Sequence, residues 1–469
     1  MISIYAKESL FPVYCEQCFW GDKWDPCDYG RDFDFNKPFF EQYFELLKTV
    51  PRIAMTHTKC VNSDFTLNCI ENKNCYLTSG ADCNENLMYG INSQRSKSCV
   101  DHYWLNESEL CYGCLDSYRL YNCVGCQECA DCTDCWFLYD SKGCKNCAFS
   151  GNIRNKKFVL FNEQFSEEDY FQKLEEIKKK LFEDANWMDV NRRKVREKAI
   201  HRYALLVNCE NCSGHIVRNC KNSQYVFDAE HLEDCRYIYY GFDAKDCQYC
   251  SCMGFGCELD YEVMSFCNNY HSAFCTSSFD NNNSYYSVSC FNFDHVFGSV
   301  SLRNHKKFVL LNKQYSEAEY FELMAKIVQH MQKTGEWGKF FPGSLSPFEF
   351  NRCMAFDREV LSRDEAIARG FRWFDGKEEH ASSGDARKCV GCEREFRLVV
   401  QELQFYERIK IPAPFFCWPC RLKKLINSRR PMRLYDNQCS KCAVKVKSTY
   451  VSDSPEKIYC EKCYLEMVY

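Results

Sequence analysis

The sequence predicts a mainly β protein with helical insertions: two short-coil β-solenoid blocks of period 12, helical caps and C-terminal zinc ribbons. Three observations carry this expectation. Cysteines and tyrosines recur on registers of twelve, a segment of about 22 residues occurs twice at an offset of 150, and the last 80 or so residues hold four CxxC pairs.

The 469 residues suffice for several cores. With 46% hydrophobic and 27% charged residues the chain reads as globular, and its net charge of -5 spreads no strong field. No run of 18 apolar residues is present, so no membrane span is expected, and the first residues lack the pattern of a signal peptide. Cysteine is the outlier at 37, an odd number that forbids complete internal disulfide pairing. Without an export signal, a cytoplasmic location is expected, and CxxC pairs there read as metal ligands.

In chain order, residues 1–30 contain Cys15 and Cys18 in MISIYAKESLFPVYCEQCFW, which resembles VKSTYVSDSPEKIYCEKCYL at 445–464. This reads as a truncated zinc-ribbon half, a possible partial metal site whose first CxxC would lie upstream of Met1; Cys27 is a candidate third ligand. Residues 31–58 form a helical linker, starting at Asn36 and Pro38 and ending near Pro51.

Residues 59–160 form the first solenoid block. Cys75, Cys99, Cys111, Cys123, Cys135 and Cys147 share one register, with Leu87 in the skipped place. Residues 206–310 form the second, with Tyr225, Tyr237, Tyr249, Tyr261 and Tyr285 in register and Cys235 twelve before Cys247. A fixed short period means stacked coils. Twelve residues give a perimeter of roughly 40 Å, room for two or three short strands and small interior side chains such as cysteine. Most repeat cysteines are therefore expected to be reduced and metal-free, with the dense run Cys123, Cys126, Cys129, Cys132 and Cys135 the exception to watch.

The duplicated segments, KKFVLFNEQFSEEDYFQKLEEI from Lys156 and KKFVLLNKQYSEAEYFELMAKI from Lys306, pass from strand to helix. Ser166 with Asp169 and Ser316 with Glu319 have capping-box spacing. A helical hairpin is expected over 161–205 and a helical and linker region over 311–385, including a short helix after Ser362 and a flexible stretch at 374–387.

Zinc ribbon 1 (386–425) offers Cys389, Cys392, Cys417 and Cys420; zinc ribbon 2 (434–469) offers Cys439, Cys442, Cys460 and Cys463. Two CxxC knuckles close a tetrahedral zinc site with four sulfurs and no open position, so two structural zinc ions are expected. Between the ribbons lie Arg421, Lys423, Lys424, Arg429, Arg430 and Arg433 with no acidic residue, a candidate nucleic-acid contact.

KCVGCEREFRLVVQELQFYERIKIPAPFFCWPCRLKK resembles a short zinc-ribbon domain with a C-x-x-C…P-x-x-C-x-x-C-R pattern, and QCSKC…IYCEKCY resembles a CxxC-x17-CxxC module. The whole, including GEWGKFFPGSLSPFEFN at 335–351, is similar to uncharacterised bacterial zinc-ribbon proteins with cysteine-rich repeats. The resemblance implies zinc and an architecture, but no chemistry.

HExxH, GxSxG, P-loop and GxGxxG motifs are absent, so no catalytic residue and no small-molecule substrate is assigned. His57, His102, His201, His215 and His271 read as surface or core residues. The expected function is a zinc-binding, non-enzymatic repeat scaffold for a protein partner. The alternatives are nucleic-acid binding through the ribbons and basic linker, and a thiol redox or metal-storage role.

Overall fold

A computed structural model describes residues 2–184, 186–234, 239–241, 269–270, 276–353, 355, 359, 361–376 and 386–469. Strands predominate, with helices between them, and no sheet closes as a barrel among the described residues. The chain divides into two compact units. One comprises Met1–Met55, Ala204–Asp375 and Met432–Leu434; the other comprises Thr56–Tyr203, Gly376–Pro431 and Tyr435–Tyr469.

In the unit that begins at Thr56, residues pair in parallel with those twelve further on, from His57 with Cys69 to Lys145 with Lys157. The backbone is left-handed at every third residue from Lys59 to Phe161, Gly80, Gly113, Gly125 and Gly143 included. No β-branched residue holds any of these positions, and Asn and Asp hold many, because their short polar side chains tolerate that region best. Each step therefore has three residues: one buried, one paired, one turning. Four steps fill one pairing offset, where the sequence led to two or three short strands.

The buried position explains the cysteines. Its N–H lies outside the paired ladder and needs an acceptor within the interior. Ser108 Oγ accepts from Leu120 N (2.9 Å), Ser117 Oγ from Cys129 N (3.1 Å) and Asn84 Oδ1 from Ser96 N (2.8 Å). The thiols in turn donate to carbonyls, Cys99 to Lys97 O and Cys123 to Tyr121 O, both at 3.3 Å. Small side chains that both pack and hydrogen-bond suit this place. Cys75, Cys99, Cys111, Cys123, Cys135 and Cys147 all lie here, buried with Leu87 and Val159. Burial pushes the Cys75 thiol up to about 11 and Cys69 to about 12.

The outer positions differ by side. One register of paired residues, Met88, Val100, Tyr112, Val124, Trp136, Ala148 and Leu160, is apolar and covered by Tyr170 and Leu174 of helix Glu167–Lys180 and by Phe405, Tyr406 and Ile409 of helix Val400–Ile409. Exposed registers alternate in charge instead, pairing Lys59 with Glu71, Lys97 with Glu85 and Arg119 with Asp131. Such a ladder neutralises itself.

The last turn of the stack is closed by Asn162. Its side-chain amide accepts from Gly151 N and donates to Gly151 O, both at 2.9 Å, as a further strand would do. A short antiparallel hairpin, Lys157–Leu160 with Glu163–Gln164, then leads into the helix that Ser166 caps.

The other unit repeats this ending. Asn312 accepts from Val300 N (2.7 Å) and donates to Val300 O (2.9 Å), and Ser316 and Glu319 form a complete capping box on helix Glu317–Thr334. Its parallel pairing has offsets of eleven (Leu206 with Val217), twelve (Gly214 with Val226) and thirteen (Val296 with Val309). Helix Phe39–Thr49 packs Phe39, Tyr43, Leu46 and Leu47 against Tyr286, Phe297 and Leu310. Glu336 of the GEW motif accepts from Phe39 N (2.9 Å) and Phe40 N (2.7 Å), so this motif holds a helix start. Tyr237, Tyr249, Tyr261, Cys235, Cys247, His271 and most of the 374–387 stretch lie outside the described residues.

Candidate metal centres

Both C-terminal modules present the same construction. In the first, strands Arg387–Lys388 and Glu395–Phe396 pair antiparallel and carry Cys389 and Cys392 in their turn. Cys389 N donates to Arg394 O (2.8 Å) and Glu393 N to Cys389 O (2.9 Å), with Glu393 left-handed at φ 59. In the second, strands Tyr435–Gln438 and Lys445–Ser448 carry Cys439 and Cys442, with Cys439 N on Val444 O and left-handed Ala443. The second CxxC of each module opens a helix instead of forming another hairpin turn: Cys417 is the N-cap of Trp418–Ser428 and Cys460 that of Glu461–Val468.

This brings four sulfurs together twice. The Sγ atoms of Cys389, Cys392, Cys417 and Cys420 all lie within 4.8 Å of one another, as do those of Cys439, Cys442, Cys460 and Cys463. Cys392 and Cys417 are 3.6 Å apart, Cys442 and Cys460 3.7 Å. These distances suit four sulfurs around one tetrahedral ion. Burial works against charge on Cys389, but the backbone N–H groups of Cys417, Cys392 and Gly391 outweigh it and bring the thiol down to about 6. At Cys439 the N–H groups of Cys460, Cys442 and Lys441 likewise overcome burial and give about 6. Cys463 is held up near 12, by burial first and then by its thiol neighbours. A cluster that accepts one negative charge and resists the next is one that a divalent cation completes.

Both groups fit zinc or another metal with an affinity for thiolates. They are the candidate groups of three or more ligands among the described residues, and the buried repeat cysteines are outside them. Cys15 and Cys18 are outside them too. Cys15 caps helix Glu16–Trp20, while Cys27 packs toward Cys290, Phe293 and Val296.

The basic linker differs from the sequence expectation. Arg421 is buried, its Nη1 reaching Glu402 Oε1 (2.8 Å), Asp101 Oδ2 (3.0 Å) and the Tyr406 hydroxyl (2.7 Å). Arg429 pairs with Asp116 (2.7 Å), Arg430 with Glu128 (2.8 Å) and Lys424 with Asp189 (2.6 Å). Lys423 and Arg433 are exposed. The second module is tied in the same way: Arg202 binds Glu461 through two contacts of 2.6 Å, Tyr464 and Arg154 meet at Asp140, and strand His201–Arg202 pairs with Ile458–Tyr459. The arginines thus serve as anchors between the modules and the repeat. Asp101, Asp116 and Glu128, which lie some 300 residues before Arg421, Arg429 and Arg430, carried no local sequence signal.

Of the histidines, His102, His201 and His215 are buried, and burial holds His102 and His201 down at about 3 and 4. His201 meets the Tyr450 hydroxyl at 3.0 Å, and His215 Nδ1 accepts from Leu205 N. No helix among the described residues is long and apolar enough to cross a membrane. No family model matches the chain. No curated protein matches it either.

Proposed function

We propose that the protein is a zinc-binding, non-enzymatic scaffold in which two period-12 β-solenoid blocks present surface to a protein partner in a reducing compartment such as the cytoplasm, with two structural zinc ions holding the terminal modules. The carrying observation is the pair of four-sulfur groups. Four thiolates saturate a tetrahedral ion and leave no position for substrate or water. The parallel pairing at an offset of twelve in the unit that begins at Thr56, its buried ladder and the Asn caps of both units support the solenoid reading. The nucleic-acid alternative loses three of its six basic residues to buried or largely buried ion pairs.

Cobalt(II) exchanged into the purified protein tests this reading. Four-sulfur tetrahedral absorption, unchanged by added small anions, is expected; a spectrum that shifts on adding a ligand would indicate an open site and an enzyme. Oligonucleotide binding measured between 50 and 200 mM salt should show no steep salt dependence. A steep loss with salt, abolished by Lys423→Ala with Arg433→Ala, would favour the nucleic-acid alternative.

A further inference from the structure

One buried cation in the unit that begins at Thr56 has no counter-charge. Helix Trp187–Lys198 turns Arg192 and Val195 inward, and Arg192 is only 9% exposed. Its Nη2 donates to Gly113 O (2.8 Å), where the repeat is left-handed and a Cβ would lie 3.4 Å from that nitrogen. Among the described residues this is the guanidinium's one hydrogen bond; its Nε is buried without a partner, and it enters no ion pair. Burial pushes Arg192 down against the pull of Asp189, whose carboxylate is already taken by Lys424 at 2.6 Å. Neighbouring carbonyls and water can satisfy N–H groups, but they leave a buried positive charge uncompensated.

Arg192 lines a cleft of about 90 Å³ between its helix, the repeat and the first C-terminal module. The apolar lining comes from Leu181 and Met188 on one side and from Pro412, Pro414 and Phe415 on the other. The remaining charges around the cleft are matched or exposed. Arg421 is paired with Asp101 and Glu402, and Asp184 is exposed, its carboxylate accepting from Asn186 N (2.8 Å). Arg192 is thus the lining cation with no carboxylate of its own. A lone guanidinium near Asp101, Asp184 and Asp189 favours one negative charge over two, and its planar fork matches a carboxylate. The volume is well below the roughly 300 Å³ at which pockets for drug-sized ligands begin, so the body behind that carboxylate is small.

We propose that this cleft binds a small organic monocarboxylate, with its charged end on Arg192 and its apolar end against Pro412, Pro414 and Phe415. The ligand supplies the missing counter-charge and touches both the repeat and the module. Lys424 and Arg421 reach the cleft from helix Trp418–Ser428, which Cys417 opens, so occupancy fastens the metal-bearing module to the stack.

The test uses the full-length, zinc-loaded protein in a buffer free of carboxylates. Sodium propionate and sodium benzoate are titrated at constant ionic strength, followed by calorimetry and ligand-detected NMR. Propionamide, benzamide and inorganic phosphate serve as comparators. At least one of the acids should bind saturably, about tenfold or more tighter than its amide and than phosphate. Hydrogen exchange in the unmodified protein should then slow in peptides covering 181–200 and 410–426 and stay unchanged in 435–469. Arg192→Met, which keeps the apolar stem and removes the charge, should abolish binding at unchanged metal content. Absence of saturable binding by either acid, equal affinity for acid and amide, or protection confined to other peptides would overturn the proposal. Tighter binding of a blocked Gly-Glu-Gly peptide than of propionate would overturn the free acid as the occupant.

Discussion

Replacing Arg421 by methionine removes the one cation shared by two buried carboxylates. The Asp101 and Glu402 side chains are only 4% and 0% exposed, so solvent cannot take over its role. Breaking a buried pair by deleting one partner costs about 3–5 kcal/mol, mostly for the charge left behind. For a unit of this size that lowers the melting temperature by about 6–20 °C. Even with Arg421 in place, burial holds Asp101 up at about 6 against Arg421's opposing pull. An acid raised in the folded state gives stability that is present below its unfolded value near 4 and is lost as pH rises through the folded value. In the variant this carboxyl rises further, so the deficit should be largest near pH 8 and shrink toward pH 5. Thermal unfolding across that range, with hydrogen exchange on peptides covering 100–120 and 400–430, reads both effects. Adding Asp101→Asn and Glu402→Gln should recover most of the loss, because no uncompensated charge then remains. A shift below about 2 °C, or a triple variant less stable than the single one, would refute the reasoning.

Asp82, half-buried and accepting from Ile70 N, is held up at about 6 by burial, so Asp82→Asn should stabilise by up to about 2–3 kcal/mol at pH 7.5 and by nothing below pH 4, as read by denaturant melts at the two pH values. Asn312→Ala should destabilise by about 3 kcal/mol and Asn162→Ala by about 1 kcal/mol, since Asn312 is wholly buried and also donates to Pro26 O whereas Asn162 is exposed. Equal losses in calorimetry would count against the amide cap. Cys417→Ser should remove one metal of two and speed exchange in peptides covering 400–430 while sparing 435–469, because each module closes its own group.

The parts of the fold most legible in the sequence were those written as spacing. The register of Cys75 to Cys147 marks one side of the interior, and the paired CxxC motifs mark the two four-sulfur groups. The three-residue step was also written, in the recurrence of Asn62, Asn74, Asn86 and Asn122 at turning positions, but buried and outer residues between them vary too much for it to stand out. Left-handed backbone is normally an isolated event, so a strand-and-turn reading misses a chain that adopts it every third residue. The ion pairs of the basic linker were not legible for a different reason. Charge alone does not say which way a side chain faces, and Asp101, Asp116 and Glu128 meet these arginines only through tertiary structure. The duplicated caps, by contrast, are local: Asn, then Ser with Asp or Glu three residues on, is sufficient to terminate strand and start helix.

Metal content and coordination of the native protein test the account most directly. Purified without chelator, the protein should carry two zinc ions per chain by elemental analysis and native mass spectrometry. Zinc-edge X-ray absorption should show four sulfurs at about 2.3 Å and no oxygen or nitrogen neighbour. Fewer than two ions, a mixed-ligand shell, or five or more metals with the repeat thiols engaged would contradict it.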